Sequence, residues 1–112
     1  MEQETNINDT GGLSEITSVD KLIHEPARLM IIGILSTVES ADFVFLKRQT
    51  GMSDGNLSSH LKKLEEGGYI GMEKMFVDKI PRTVLKITPF GLEKLNEYLN
   101  TMRSVVDSFG KK

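Results

Sequence analysis

The stretch TGMSDGNLSSHLKKLEEGGYI, residues 50–70, decides how the rest of the chain is read. Small polar residues and two glycines lead into a leucine-spaced, charged segment that ends at Gly67-Gly68. Ser53 is placed to cap a helix running to about Glu66, and the glycine pair to stop it. On a helical wheel, Leu57, Leu61 and Leu64 cluster within about 60° and make a core stripe. Gly55, Asn56, Ser59, Lys62, Lys63 and Glu66 stand opposite. Asn56 can offer a bidentate amide to adenine, and Ser59 can bond a base edge or a phosphate. Lys62 and Lys63 reach phosphate or guanine, and the helix N-terminus itself favours phosphate. Glu65 and Glu66 at the far end would have to point away from a nucleic acid. Gly55 costs about 1 kcal/mol against Ala in a first turn. Close backbone approach to DNA would explain it, and so would close packing of the preceding helix. A polar face with two lysines is also what an ordinary solvated helix presents, so the flanking segments must decide.

Working backwards, Asp42 can cap a helix FVFLKRQ that closes near Thr50-Gly51. Pro26 suits a first helical position, and Glu25 before it is biased away from helix. PARLMIIGILSTV, residues 26–38, is apolar on nearly all sides, which predicts a buried helix. Leu13, Ile16, Val19 and Ile23 suggest a short helical turn near 18–24. Residues 1–17, polar and broken by Gly11-Gly12, read as a disordered or loose arm. Working forwards, YIGMEKMFV and TVLKI are rich in β-formers, and DKIPR between them makes a hairpin tip containing Pro81. Thr88-Pro89 opens a long helix from 89 to about 109. The fold class is mainly α with a small β-hairpin (α+β). Helices two and three joined by a Gly-containing turn, followed by a hairpin, match a winged helix-turn-helix over residues 18–88, with a C-terminal helix and tail over 89–112.

The chain has 112 residues, no cysteine and two distant histidines, His24 and His60, so no metal site or cofactor is expected. No run reaches the roughly 18 apolar residues of a membrane span, and MEQETNINDTGG is unlike a signal peptide. A cytoplasmic protein is expected. The net charge of −2 is unevenly spread: residues 1–42 hold eight acids and two bases, residues 43–112 eight acids and twelve bases. Distribution bears on nucleic-acid binding more than the sum does. Lys74, Lys79, Arg82 and Lys86 lie on or beside the hairpin, and Lys47 and Arg48 on the second helix, where each could grip phosphate. Nothing beside Ser58, Ser59 and His60 supplies the orienting group or oxyanion site that a nucleophilic serine needs, so no enzyme is expected.

HEPARLMIIGIL, TGMSDGNLSSHLKKLEEGGYI and PRTVLKITPFGLEKL together resemble small winged-helix transcriptional regulators of the ArsR/MarR-like kind. The likeness is to a compact archaeal and bacterial group with the pattern S-x-G-x-L-S-x-H-L-x-x-L-E-x-x-G-Y-I, and it spans about residues 20–100. It implies that Ser53, Asn56, Ser58, Ser59, His60 and Lys63 lie on or near a DNA-recognition surface, and that Lys79 and Arg82 belong to the wing. His60 also sits near the leucine stripe, where a boundary histidine bonded locally is the alternative. The metal-sensing relatives' clusters of cysteine and histidine are missing here.

Along the last helix, Leu92, Leu95, Leu99, Met102, Val106 and Phe109 repeat at spacings of three and four, a heptad seam. Dimerisation through this helix is expected; folding back on the chain's own core is the alternative. A homodimer would set two recognition helices about 34 Å apart on double-stranded DNA. The rival function is a winged helix used to bind another protein. It would not need Lys47, Arg48, Lys62, Lys63, Lys79 and Arg82 to converge on one face.

Overall fold

A capping side chain opens each of the four α-helices. The computed structural model describes residues 12–110. Glu25 Oε1 accepts the Arg28 N–H at 2.9 Å and starts α1, Pro26–Leu35. That hydrogen bond, set against a partial loss of water, holds the Glu25 carboxyl below the ordinary carboxylate range. Asp42 Oδ1 accepts from Phe45 N at 2.7 Å for α2, Phe43–Thr50. Ser53 Oγ accepts from Asn56 N at 3.2 Å for α3, Asp54–Glu66. Thr88 Oγ1 accepts from Gly91 N at 2.9 Å for α4, Pro89–Asp107. Each satisfies an N–H that the first helical turn leaves without an intrahelical partner.

Strand β1 is Ala41–Asp42, β2 Ile70–Val77 and β3 Ile80–Ile87, arranged β1-β3-β2 with every pairing antiparallel. The two-residue β1 was not anticipated. It pairs Ala41 with Leu85 and Asp42 with Val84, tying the wing's base to the start of α2. The hairpin turn also differs from expectation. Val77 and Ile80 close it, and Asp78 and Lys79 between them have φ of 53° and 67°, as a type I′ turn requires. Pro81 is therefore a strand residue opposite Phe76. By the antiparallel alternation that pair is not hydrogen-bonded, so the proline nitrogen faces away from β2 and no ladder bond is lost.

The core joins Ile31, Ile32 and Leu35 of α1, Leu46 of α2, the α3 leucines and Leu85 of β3, all at most 1% exposed. The expectation that 26–38 is buried on all sides is corrected. Met30 is 42% exposed, and Val38, beyond the end of α1, is 37% exposed. The helical turn expected near 18–24 is a single turn in which the His24 N–H donates to the Asp20 carbonyl at 2.8 Å, and a 3-10 helix not anticipated, Leu13–Ser18, precedes it and packs along α4. Asp20 caps that single turn: its Oδ1 accepts from Leu22 N at 2.8 Å and Ile23 N at 3.2 Å, N–H groups that a first helical turn leaves unpaired. The remainder of the expected arm, residues 1–11, lies outside the described residues. Asp20 also accepts from the Tyr69 hydroxyl, and burial together with this bond pushes that hydroxyl well above its ordinary pKa. His24 Nδ1 lies 2.7 Å from the Tyr98 hydroxyl, a second tie between this segment and the body.

Candidate nucleic-acid interface

Helix α3 is anchored by one face and open on the other. Leu57, Leu61 and Leu64 are fully buried, and Asn56, Ser58, Ser59, Lys62 and Lys63 are all exposed. Ser53 is at the start of this face, its hydroxyl oxygen already occupied as the cap. His60 is turned elsewhere. Its Nδ1 lies 3.2 Å from an Arg28 guanidinium nitrogen and 3.9 Å from Glu25 Oε1. The boundary position weighed for this residue in the sequence is what is found, but its partners are on and before α1 rather than local, and it ties α3 to the start of α1. Gly55 sits in open space, where an added Cβ would meet nothing within 4 Å. Helix packing therefore does not explain this glycine.

The wing joins this surface through a cleft of about 340 Å³ whose lining includes Ser58 and Lys62 of α3 with Lys74 and Thr83 of the hairpin. Phe43 and Thr83 also line a second cleft, with Arg48, Pro81 and Arg82. Val44 and Arg48 continue into a third, lined by Lys47. These shared walls make one continuous band from Lys47 and Arg48, past Arg82, to Lys74 and Lys62. Lys63 lies beyond it on α3, and Lys79 at the exposed turn of the wing.

Not every cation in the band is unengaged. Arg82 Nη1 donates to Asp42 Oδ2 at 2.7 Å, so one carboxylate both caps α2 and fastens the wing. Arginine keeps further donors for a phosphate. Lys47 Nζ is 2.9 Å from Asp54 Oδ1 on α3, and Lys62 is 4.0 Å from Glu66. Arg48, Lys63, Lys74 and Lys79 pair with no acid among the described residues. Asp54 was missed in the sequence: an exposed anion in the first turn, favoured by the helix dipole but unfavourable for a phosphate unless Lys47 neutralises it. The Asp42–Arg82 pair was missed too, because forty positions separate its members.

The winged helix DNA-binding domain model matches residues 27–106. The chain belongs to that family. An uncharacterized protein of Methanocaldococcus jannaschii is 34% identical over 79 residues, covering 70% of this winged-helix chain and 86% of that protein. A structure described as a transcriptional regulator homologue from Pyrococcus horikoshii superposes with a TM-score of 0.80 at 32% identity, covering 89% of this chain and 98% of that one. A PadR family regulator from Eggerthella lenta shares the fold at a TM-score of 0.63 and 21% identity, with coverage of 87% and 91%. The protein is a winged-helix protein of the DNA-binding kind.

The α4 seam divides. Leu95 is buried in the chain's own core, and Leu99 and Met102 pack partly against it. Leu92, Val106 and Phe109 are exposed, at 41%, 53% and 61%. The face that closes on the body is instead Gly91, Leu95, Tyr98 and Val105. Among the described residues no helix is long and apolar enough to cross a membrane, and no three His, Cys, Asp or Glu side chains gather as metal ligands.

Proposed function

We propose that this winged-helix regulator binds double-stranded DNA sequence-specifically as a homodimer, with α3 in the major groove and the wing on the flanking backbone or minor groove. The supporting observation is the continuous band linking Lys47, Arg48, Arg82, Lys74 and Lys62 across α2, the hairpin and α3. That convergence is what a purely protein-binding use of the fold would not need. Asn56, Ser59 and Lys63 read base edges. Ser53 and Ser58 stand at the groove's margin, and Lys47, Arg48, Lys62, Lys74, Lys79 and Arg82 hold phosphates. His60 positions α3 rather than touching the duplex.

The second copy sits on α4, where Leu92, Val106 and Phe109 are left uncovered by the chain's own core. Leu99 and Met102 extend that seam, and Leu95 supports it from beneath. Two recognition helices then face successive major grooves about 34 Å apart on a pseudo-palindromic site. The deciding test is fluorescence anisotropy on a labelled random-sequence duplex at about 50 and 200 mM salt. Micromolar binding that falls steeply between the two supports the reading. No binding at the lower salt overturns it in favour of a protein-binding module.

A further inference from the structure

The wing tip is apolar where a phosphate clamp would be polar. Phe76 is 74% exposed, the most exposed large hydrophobic side chain among the described residues, with Ile80 at 56% and Val77 at 38% beside it. Pro81 stands directly opposite Phe76 in the hairpin register. Side chains two apart on a strand share a face. Phe76 and Pro81 are thus on the face that carries Lys74 and Thr83, which line the cleft with α3. The ring is presented to the same side as the recognition helix.

Resting on the DNA-binding reading, we infer that Phe76, backed by Pro81, is a wedge that enters the minor groove beside the α3 site and partly unstacks a base step. Reach agrees with this. Phe76 lies four residues beyond Met72, which lines the cleft, and four residues of strand carry it about 13 Å outwards. The centre of the adjoining minor groove is about half a helical turn, roughly 17 Å, from the major groove that α3 fills. Charge agrees as well. Lys74, Lys79 and Arg82 flank the apolar tip and would meet the phosphates on either side, against Asp78 in the turn, Glu73 beside Lys74 and the Asp42 carboxylate that already holds Arg82. Apolar wedges of this kind bend the duplex towards the major groove by roughly 20–90°. Pro81, with its fixed φ and no N–H to leave unpaired, gives the ring a rigid back.

The test uses the full chain and a duplex enriched from a random pool by the wild-type protein, labelled at both ends for energy transfer. Wild-type binding should shorten the end-to-end distance. Phe76→Ala, an exposed change that leaves the core intact, should abolish the shortening and weaken binding roughly tenfold, the effect of losing one stacked base. It should leave the preferred base sequence unchanged. Phe76→Lys, which adds a charge for phosphates, should also lose the bend even where affinity recovers. Equal bending by Phe76→Ala and wild type overturns the wedge while the DNA-binding reading stands. The wedge also falls if Phe76→Ala changes only self-association, the tip then being a contact between copies. If the wild type enriches no duplex at all, the DNA-binding reading fails and the wedge fails with it.

Discussion

Helices α3 and α4 both carry apolar residues at three- and four-residue spacing, yet they use them differently. In α3 the whole stripe, Leu57, Leu61 and Leu64, is buried within the chain, and what remains outside is polar, with Lys62 and Lys63 between Asp54 at one end and Glu65 and Glu66 at the other. In α4 the stripe is shared. Leu95 and Val105 close on the chain's own body, while Leu92 and Val106, with Phe109 in the turn beyond the helix, are left exposed. A helix whose apolar residues are all satisfied at home can offer only hydrogen bonds and charge to a partner, which suits a solvated, anionic groove. A helix with apolar area left over is suited to a second protein surface. On the reading proposed above, the two helices face two classes of partner within one small domain, DNA for α3 and a second copy for α4.

The strongest way to break this contrast is to truncate each stripe. Leu61→Ala in α3, at a site 1% exposed, should lower the unfolding free energy by about 2–5 kcal/mol in urea melts. Val106→Asp in α4 with Phe109→Asp just beyond its end should leave the folded far-ultraviolet spectrum in place and shift sedimentation to the monomer. A double variant that sediments like the wild type would show that α4's outer face joins no second copy.

A smaller effect sharpens the polar side of the comparison. Lys79→Ala, at the wing turn, should weaken binding to all sequences alike and lower the salt slope by about 0.9 log unit per lost phosphate contact. Asn56→Ala should cost about 1–3 kcal/mol at one base position in each half-site and leave the salt slope unchanged. Binding selections on the two variants separate these outcomes. The same uniform loss from both would end the division between reading and gripping residues.

Legibility followed the range of the interactions. Asp42, Ser53 and Thr88 were readable as caps because a cap bonds only three residues ahead. The α3 leucine stripe was readable because its period repeats. The wing turn was not, since neither Asp78 nor Lys79 is the glycine or asparagine that usually marks positive φ, and Pro81 drew attention instead. The Asp42–Arg82 tie, the short β1 and the His60–Arg28 contact join residues far apart in the chain, and no local pattern announces them. For the interface this means that its cations were visible individually, but their junction through Phe43 and Thr83 was not.

The smallest predicted effect separates folding from binding at one position. Two glycines lie in the first turns of α3 and α4, and their surroundings are opposite. A Cβ on Gly91 would come within 2.0 Å of the Tyr69 carbonyl oxygen, so that glycine is required by packing of α4 against the backbone just before β2. A Cβ on Gly55 would meet nothing within 4 Å. Its φ does not lie in the left-handed region either, as the positive-φ glycines of the described residues are Gly12, Gly51, Gly68 and Gly110. Folding alone therefore favours alanine at position 55, and Gly55→Ala should raise the unfolding free energy by roughly 0.5–1 kcal/mol. If the α3 backbone must come close to a duplex, the same substitution should weaken DNA binding even as it stabilises the protein. Urea melts and anisotropy on one preparation would show both. A variant that gains stability and binds DNA unchanged would mean that the duplex approaches α3 through its side chains alone.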